Sequence, residues 1–243
     1  MAITHPQAVP LVIAEDAIEA YRQHGCFTID GLWTRDELDE IKSAAADLPT
    51  ARDGTFGPAI HPHRINPVFM RALCKPSIVA LMEQLLGHTV SGLQTQFFFC
   101  QPGTQGFAAH QDNFYVQAPQ ADFASVWTAI DDVSIENGCL TLYPGTHKEP
   151  LLPVEPCPMH TVQVGQDINA NRVQVVIPSQ YTGVDCPMPA GRAAFFHGHT
   201  VHSSHPNVSN GSRRALLMTY LRCGSAFRPG NNAKREEVDV YRV

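Results

Sequence analysis

The spacing of apolar residues changes at Gly87, and this change limits the folds open to the chain. Before Gly87 the apolar residues recur at helical spacing. After it, short strand-like runs follow one another with turn signals between them. Runs of this kind favour a closed sandwich or barrel over alternating strand–helix units. We therefore expect an α+β, mainly β protein whose barrel is buttressed by N-terminal helices.

The helical part of the sequence has recognisable starts and stops. Residues 14–24 carry apolar side chains at helical spacing. Thr34 and Glu37 have the spacing of a capping box, which predicts that a second helix begins there. Residues 67–86 are predicted to form a helix, or a pair of helices broken at Pro76.

The strand-like runs fill most of the chain after these helices. No internal repeat or linker interrupts them, so we expect a single domain over 1–243. Within it, 1–88 would be a mostly helical buttress, 89–225 the barrel core and 226–243 a C-terminal tail. The runs are 91–100, 110–118, 124–134, 138–144, 171–178, 191–199 and 213–222.

Composition narrows the class of protein and of partner. A net charge of −6 argues against a nucleic-acid or anionic-membrane partner, since both favour a basic excess. No apolar run approaches the roughly 18–20 residues of a transmembrane helix. Seven scattered cysteines without a CxxC pair are typical of a reduced, intracellular protein, so a cytoplasmic location is expected. The sequence leaves monomer and homodimer open.

One of the strand-like runs, 110–118, sets His110 and Asp112 two residues apart. On a strand, side chains at i and i+2 share a face, so both groups would be able to reach one ion. A second imidazole would complete the two-histidine, one-carboxylate set that binds Fe(II) and leaves three coordination positions open. The spacing alone is weak support, because chance gives about 0.6 such pairs in a chain with 12 histidines.

Candidates for the third ligand crowd into 191–214, where a histidine-rich loop lies between two predicted strands. Arg213 and Arg214 begin the returning strand, and either would offer a planar fork to a carboxylate. His147 follows a turn and precedes a charged run, so we interpret it as a turn histidine with local hydrogen bonds. The four histidines of the loop are His197, His199, His202 and His205.

Taken together, four motifs resemble the phytanoyl-CoA dioxygenase family of Fe(II)/2-oxoglutarate-dependent oxygenases over roughly residues 15–225. The resemblance implies a double-stranded β-helix, the jelly-roll barrel of cupin type. The motifs are HQD at 110–112, VWTAIDD at 126–132, ENGCLTLYPGTHK at 136–148 and FFHGHTVHSSHPNVSNGSRR at 195–214.

The resemblance also implies a ligand set. In the family the H-x-D pair, here His110 and Asp112, supplies two metal ligands. A distal histidine supplies the third, and an arginine eleven residues later holds the far carboxylate of 2-oxoglutarate. Only His202, followed by Arg213, fits that register, so the other three histidines of the loop are interpreted as strand or loop residues.

Further residues are carried over for the co-substrate. The resemblance places Ser204 beside the carboxylate of 2-oxoglutarate, Trp127 against the molecule and Gln96 on the preceding strand in contact with it. Trp127 is equally explained as barrel core, and Arg214 remains the alternative to Arg213. Side-chain alternation along the strand decides between the two arginines.

The implied activity is a dioxygenase that uses Fe(II), 2-oxoglutarate and O2, with ascorbate as reductant, to hydroxylate or otherwise oxidise an unactivated C–H bond. Two other classes stay open: a cupin-like Zn or Mn hydrolase or isomerase, and a non-catalytic metabolite-binding barrel. The hydrolase or isomerase would not need Arg213 and would ignore 2-oxoglutarate, and the intact donor set with its arginine argues against the non-catalytic barrel.

The sequence is least informative about the substrate. A small-to-medium metabolite is expected, since no dense basic cluster suits a CoA diphosphate. The candidate lid loops are 58–67 and 149–170, which are long and irregular. The residues nearest to a basic cluster are Arg52, His61, His63 and Arg64.

Overall fold

The structure, a computed structural model, describes residues 9–12, 14–158 and 171–242. Helices dominate before Gly87 and strands after it, as the spacing of apolar residues predicts. The helices are α1 (Ala17–His24), α2 (Arg35–Ala46), α3 (Pro49–Arg52), α4 (Pro67–Leu73), α5 (Pro76–Leu86) and α6 (Asn113–Val116). The strands are β1 (Cys26–Ile29), β2 (Ala59–Ile60), β3 (Val90–Cys100), β4 (Phe123–Ala129), β5 (Leu140–Leu142), β6 (Val154–Pro156), β7 (Val173–Val175), β8 (Val184–Cys186), β9 (Ala193–His197), β10 (His202–Ser204) and β11 (Arg213–Arg222).

Antiparallel pairing arranges the strands in two principal sheets. A six-stranded sheet has the order β1-β9-β4-β11-β3-β2, and a three-stranded sheet has the order β10-β5-β8. A short hairpin pairs β6 with β7. Neighbours in the large sheet are distant in sequence, with β11 lying between β3 and β4. The fold is thus the jelly-roll barrel that the resemblance implies.

The large sheet is apolar on both faces, and alternate residues of each strand serve different cores. Phe97, Met218 and Phe195 face the helices and pack with Ile41 and Met82. Alternate positions on the strands of this sheet point the other way, into the barrel. There Trp127, Phe196 and Ala215 pack with Leu140 and Leu142 of the small sheet. The helices therefore cover the outside of the large sheet and leave its inner face to line the barrel.

Local signals in the sequence set the helix boundaries. The side chain of Thr34 accepts a hydrogen bond from the backbone N–H of Glu37, whose carboxylate accepts one from the backbone N–H of Thr34. The predicted capping box is confirmed. The break at Pro76 is also confirmed, since α4 ends at Leu73 and α5 begins at Pro76. Gly87 ends α5 in the left-handed conformation, which glycine adopts without steric cost.

The strand predicted over 110–118 is wrong. His110 makes a single β-bridge, and the chain then turns into the short helix α6. The predicted strand at 171–178 is shorter than expected, with only Val173–Val175 paired. The histidine-rich loop itself contains a strand, β10. Strands of three residues have too few positions for an alternating apolar pattern, so sequence periodicity misses them.

The chain after β11 returns to the barrel. Backbone hydrogen bonds join Gly92 and Val238 in both directions, at 3.0 and 2.8 Å. The hydroxyl of Tyr241 accepts a hydrogen bond from the backbone N–H of Val90 at 3.0 Å. These contacts place the segment 226–242 beside the first residues of β3. Within the described ranges, none of the helices has the length and apolar character needed to cross a membrane.

Candidate metal centre

Three side chains from separate parts of the chain converge inside the barrel. His110 Nε2 lies 3.6 Å from Asp112 Oδ1, and His202 Nε2 lies 3.6 Å from the same oxygen. The two imidazole rings have their centroids 4.1 Å apart. Ligands of a small divalent ion sit about 2.0–2.2 Å from it, so atoms at this separation are able to share one ion. The donor set is the two-histidine, one-carboxylate set of non-haem Fe(II) sites, and it fits such an ion.

Backbone pairing explains how the two histidines meet. The N–H of each donates to the carbonyl of the other at 2.9 Å, so His110 and His202 are directly opposite each other in an antiparallel bridge. Opposed residues project their side chains to the same face. Gly106, upstream of this bridge, allows the close approach, since a Cβ there would lie 1.9 Å from the carbonyl oxygen of Ser204.

Asp112 reaches the site from a bend and not from the strand that the sequence pattern predicts at 110–118. Its backbone is helical, with φ −56° and ψ −37°, at the start of α6. Gln111 and Asn113 fix the bend, because the Gln111 amide donates to the carbonyl of His199 at 2.8 Å and the Asn113 N–H donates to the carbonyl of Gly198 at 2.9 Å. The H-x-D spacing thus places the carboxylate beside His110 through a turn.

Hydrogen bonds orient the three candidate ligands. The Nδ1 of His110 lies 2.8 Å from the carbonyl of Ala108, and the Nδ1 of His202 lies 3.1 Å from the carbonyl of Thr200. A proton on each Nδ1 leaves each Nε2 with a free lone pair. Ser125 donates to Asp112 Oδ2 at 2.7 Å, so the other oxygen, Oδ1, faces the histidines.

Burial keeps His110 in its neutral, ligand-competent form. Burial, together with the nearby His202 ring, lowers the pKa of His110 to about 4, although the Asp112 carboxylate acts in the opposite direction. An imidazole binds a metal through its neutral form, so His110 is ready to bind a metal at neutral pH.

The remaining histidines named in the sequence lie apart from the three candidate ligands. The backbone N–H of His199 donates to His197 Nδ1 at 2.9 Å, and His199 Nδ1 contacts the carbonyl of Glu149 at 3.0 Å. His205 Nε2 is 2.8 Å from Asp185 Oδ1. His147 lies in a single helical turn with its Nε2 3.2 Å from the carbonyl of Arg22.

A second cluster of metal-binding residue types lies at the edge of the small sheet. Cys139, Asp185 and His205 present one donor atom each within 4.8 Å of one another. Asp185 already accepts hydrogen bonds from Thr141 at 2.7 Å and pairs with His205. Asp185 and His205 satisfy each other, whereas the Nε2 atoms of the first cluster face a shared space.

That space opens on one side into a small chamber of about 110 Å³, here called the inner cavity. All seven residues predicted to bind metal or 2-oxoglutarate line it. Trp127 projects from β4 and is 4% exposed, so it is both core and cavity wall. The hydroxyl of Ser204 accepts a hydrogen bond from the backbone N–H of Phe107 at 2.9 Å. The seven are His110, Asp112, His202, Arg213, Ser204, Trp127 and Gln96.

The two adjacent arginines face opposite sides of the large sheet. Arg213 is 5% exposed, its carbon Cζ lies 5.4 Å from the centre of the Trp127 ring, and its Nη2 donates to the carbonyl of Gly138 at 2.5 Å. Arg214 points outward and forms two hydrogen bonds of 2.8 Å with Asp131. Alternation therefore puts Arg213 in the inner cavity and Arg214 outside it.

The charge of Arg213 has no acidic partner in the part of the chain that the structure describes, since no carboxylate oxygen there lies within 4.0 Å of its nitrogens. Burial lowers the pKa of this arginine. A buried cation that contacts carbonyls and an aromatic ring favours the binding of an anion.

On its other side the site opens into a larger chamber of about 520 Å³, here called the outer cavity. His110, Asp112 and Gln96 line both chambers, so the candidate metal centre lies between them. This volume falls within the roughly 300–1,000 Å³ of small-molecule sites. Part of the predicted lid 58–67 borders it through Pro58 and Ile60, and residues 159–170 of the other predicted lid lie outside the described residues.

Sequence reasoning missed several residues that shape these chambers. Ser125 gave one usable signal, since it is one of two hydroxyl side chains in a mainly apolar strand. Asn171, which accepts from the N–H of Ala108 at 2.6 Å and donates to the carbonyl of Gly106 at 2.9 Å, gave none. Arg235 lines the outer cavity although it is distant in sequence from every motif.

Comparison with known proteins agrees with the fold and with the family that the sequence motifs resemble. The profile of the phytanoyl-CoA dioxygenase (PhyH) family matches residues 21–215. The chain is 30% identical over 187 residues to the mouse phytanoyl-CoA dioxygenase domain-containing protein 1, an alignment that covers 72% of this chain and 60% of the mouse protein. It is 24% identical over 236 residues to the rat peroxisomal phytanoyl-CoA dioxygenase, covering 86% and 68%.

Solved structures share the architecture. The epimerase SnoN in complex with Fe3+, alpha ketoglutarate and nogalamycin RO superposes with a TM-score of 0.72 at 23% identity, covering 89% of this chain and 86% of that one. EvdO2 from Micromonospora carbonacea var. aurantiaca, complexed with 2-oxoglutarate, gives 0.67 at 20% identity, covering 92% and 96%. The family match spans most of the barrel and includes the H-x-D pair and the distal histidine. The chain belongs to the phytanoyl-CoA dioxygenase family.

Proposed function

We propose that the chain is a non-haem Fe(II)- and 2-oxoglutarate-dependent dioxygenase that hydroxylates an unactivated C–H bond of a small-to-medium metabolite. Fe(II) would be held by His110, Asp112 and His202. When bound together with 2-oxoglutarate, the iron supplies oxidation by O2, with decarboxylation of 2-oxoglutarate to succinate and CO2. Ascorbate is the expected reductant.

The observation that carries the proposal is the pairing of this donor set with Arg213 along the wall of one chamber. A metal-binding hydrolase or isomerase has no need of a buried guanidinium without a carboxylate partner beside its metal ligands. A dicarboxylate co-substrate does, because one end chelates the metal and the other end needs a cation. The planar fork of arginine matches a carboxylate in two hydrogen bonds.

The chain's own residues would then do three things. His110 and His202 direct their Nε2 atoms to the site, and Ser125 fixes the orientation of Asp112. Arg213 positions the co-substrate without reacting with it. The phenylalanines around the inner cavity exclude water from the reacting groups, and the four described ones that line it are Phe98, Phe99, Phe107 and Phe196.

A turnover assay tests the proposal. The protein is loaded with Fe(II) and incubated in air with 2-oxoglutarate and ascorbate, and succinate is measured with and without a library of metabolites. We expect slow succinate formation alone and faster formation with the right metabolite. Fully loaded protein that forms no succinate under any condition would contradict the proposal and favour the hydrolase, isomerase or binding-protein alternatives.

A further inference from the structure

We propose that the substrate carries an anionic group, a carboxylate or a phosphate, and that Arg235 binds this group at the far end of the outer cavity. This inference rests on the proposed oxygenase function, since it names the class of molecule that the outer cavity would present to the iron. It concerns a residue outside the 21–215 region that the family profile matches.

Arg235 is held in place by neutral groups. Its Nε donates to the side-chain oxygen of Gln94 at 2.7 Å, and its Nη1 donates to the carbonyl of Tyr115 at 3.3 Å. Within the described ranges no carboxylate oxygen lies within 4.0 Å of its nitrogens, and none of the hydrogen bonds there uses its Nη2. The guanidinium is therefore oriented, with donors left for a ligand.

The environment of Arg235 favours a negative ligand. Among the described residues, the outer cavity is lined by three arginines, of which Arg172 and Arg228 are the others, and by one carboxylate, Asp112. Asp112 is a proposed ligand of Fe(II), so its charge would be used by the metal. The chain as a whole carries a net charge of −6, which makes a positive cavity a local feature. Such a cavity attracts anions and orients them as they enter.

The burial of Arg235 strengthens this reading. Its side chain is half-buried, and burial, together with the nearby charge of Arg228, lowers its pKa, although the Asp112 carboxylate acts in the opposite direction. A desolvated guanidinium gains more from a charged acceptor than an exposed one does. Apolar side chains, among them Phe114 and Leu217, also line the outer cavity, so it suits a molecule with an apolar body and one anionic end.

The register of β3 and β11 sets the direction in which such a molecule would lie. Cys100 pairs with Arg213 at one end, and Gln94 pairs with Thr219 six residues away. At about 3.3 Å per residue, the two ends are roughly 20 Å apart. Gln94 holds Arg235, and the metal centre borders both chambers. An anion on Arg235 would place the body of the substrate between that arginine and the iron.

A binding experiment with matched probes tests the inference. The protein is loaded with Ni(II) and saturating 2-oxoglutarate, and the dissociation constants of 3-phenylpropanoate, 3-phenylpropanamide and 2-phenylethyl phosphate are measured by ligand-observed NMR. We expect at least one anion to bind about tenfold more tightly than the neutral amide, the effect of one charge-assisted hydrogen bond. The tighter anion identifies the carboxylate or the phosphate as the preferred group.

Arg235→Gln should reduce this preference to within about twofold, while Arg235→Lys, which keeps the charge and loses the fork, should retain part of it. Arg64→Gln is the matched control. Arg64 donates to the carbonyl of Lys234 at 2.8 Å and so holds the same segment, but it does not line the outer cavity. The control should keep the full preference, which separates loss of a ligand contact from loosening of the tail.

Two results would overturn the inference: wild-type protein that binds all three probes equally, or one that binds none of them while still binding 2-oxoglutarate. If the Lys and Gln variants both keep the tenfold preference, Arg235 is a structural anchor only, and the inference also fails. Protein that binds no 2-oxoglutarate in the presence of metal would contradict the proposed function instead.

Discussion

The inner and outer cavities end in the same kind of group but are built differently. Each ends in an arginine that has no carboxylate partner among the described residues. Arg213 begins a long central strand and is 5% exposed, with its guanidinium against a buried tryptophan ring. Arg235 comes from the chain after the last strand and is half-buried.

This difference separates two tasks on the proposed function. A co-substrate that is always the same molecule needs a fixed anchor, and a strand in the middle of a sheet supplies one. A substrate that differs between relatives is better met by a segment outside the strands, which changes without disturbing the barrel. Substitutions in the two cavities test whether Arg213 anchors the co-substrate and Arg235 binds the substrate.

The largest effect is expected where the two cavities meet. Asp112→Ala removes the only carboxylate of the proposed donor set, so iron content and succinate formation should fall by more than the roughly 100-fold seen when outer-shell partners of a metal are lost. Asp185→Asn, in the second cluster, is the matched control and should stay close to wild type. Metal loss in the control but not in Asp112→Ala would place the metal in the wrong cluster.

Acid should lower the free energy of unfolding, because two histidines are buried in the neutral form. Burial lowers the pKa of His147 to about 4 and that of His197 to about 3, from an ordinary value of 6.5. Above pH 6.5 both side chains are neutral in the folded and in the unfolded state, so these histidines do not lower the free energy of unfolding. Below it the unfolded chain takes up protons that the folded chain does not, and stability is lost as the pH falls.

At pH 5 the expected loss is about 2 kcal/mol for each of the two histidines. Urea unfolding at pH 7.5 and pH 5 measures it. His197→Asn keeps an acceptor for the N–H of His199 but does not titrate, so its stability should depend less on pH. An equal dependence in the variant and in wild type would show that His197 is not the group responsible.

Ser125→Ala should weaken metal binding by about tenfold, because outer-shell partners orient the ligand that they contact. Ser125 donates to Asp112 Oδ2 at 2.7 Å, and without this bond the carboxylate is free to rotate. Competition with a chelator measures the affinity. Ser91→Ala is a control at a half-buried contact with Glu237, away from both cavities. Equal affinities for both variants would contradict an orienting role.

The smallest effect is expected at the rim of the outer cavity. Arg228 is exposed, so its contribution to an anionic probe is that of a surface charge, about two- to threefold in the dissociation constant. The effect should disappear at high salt, whereas that of Arg235→Gln should persist. Titrations at two ionic strengths distinguish them. A larger loss from Arg228→Gln than from Arg235→Gln would reverse the order of the two residues.

The functional residues of the inner cavity were largely predictable from the sequence, and those of the outer cavity were not. Residues that line the inner cavity stand in motifs with fixed spacing, such as His202 and Arg213 eleven residues apart. Adjacent arginines could not be told apart until Asp131 was seen to pair with Arg214. Asp112 was selected for a strand geometry that it does not have.

The outer cavity depends on contacts between distant parts of the chain. Arg172 is distant in sequence from Arg228 and Arg235, and the three meet only because the chain folds back after β11. No local pattern marks them as a cluster, so the sequence showed only a sparse distribution of basic residues. Short strands such as β10 escaped for a related reason, since their pairing partner and not their own pattern defines them.

The most direct test of the account is the affinity of metal-loaded protein for 2-oxoglutarate, measured by calorimetry with Ni(II) in wild type, Arg213→Gln and Arg214→Gln. We predict metal-dependent binding of one 2-oxoglutarate per chain, weakened about tenfold or more by Arg213→Gln and nearly unchanged by Arg214→Gln, whose side chain faces Asp131 outside the cavity. Binding that does not require the metal, or that falls equally in both variants, would contradict the account.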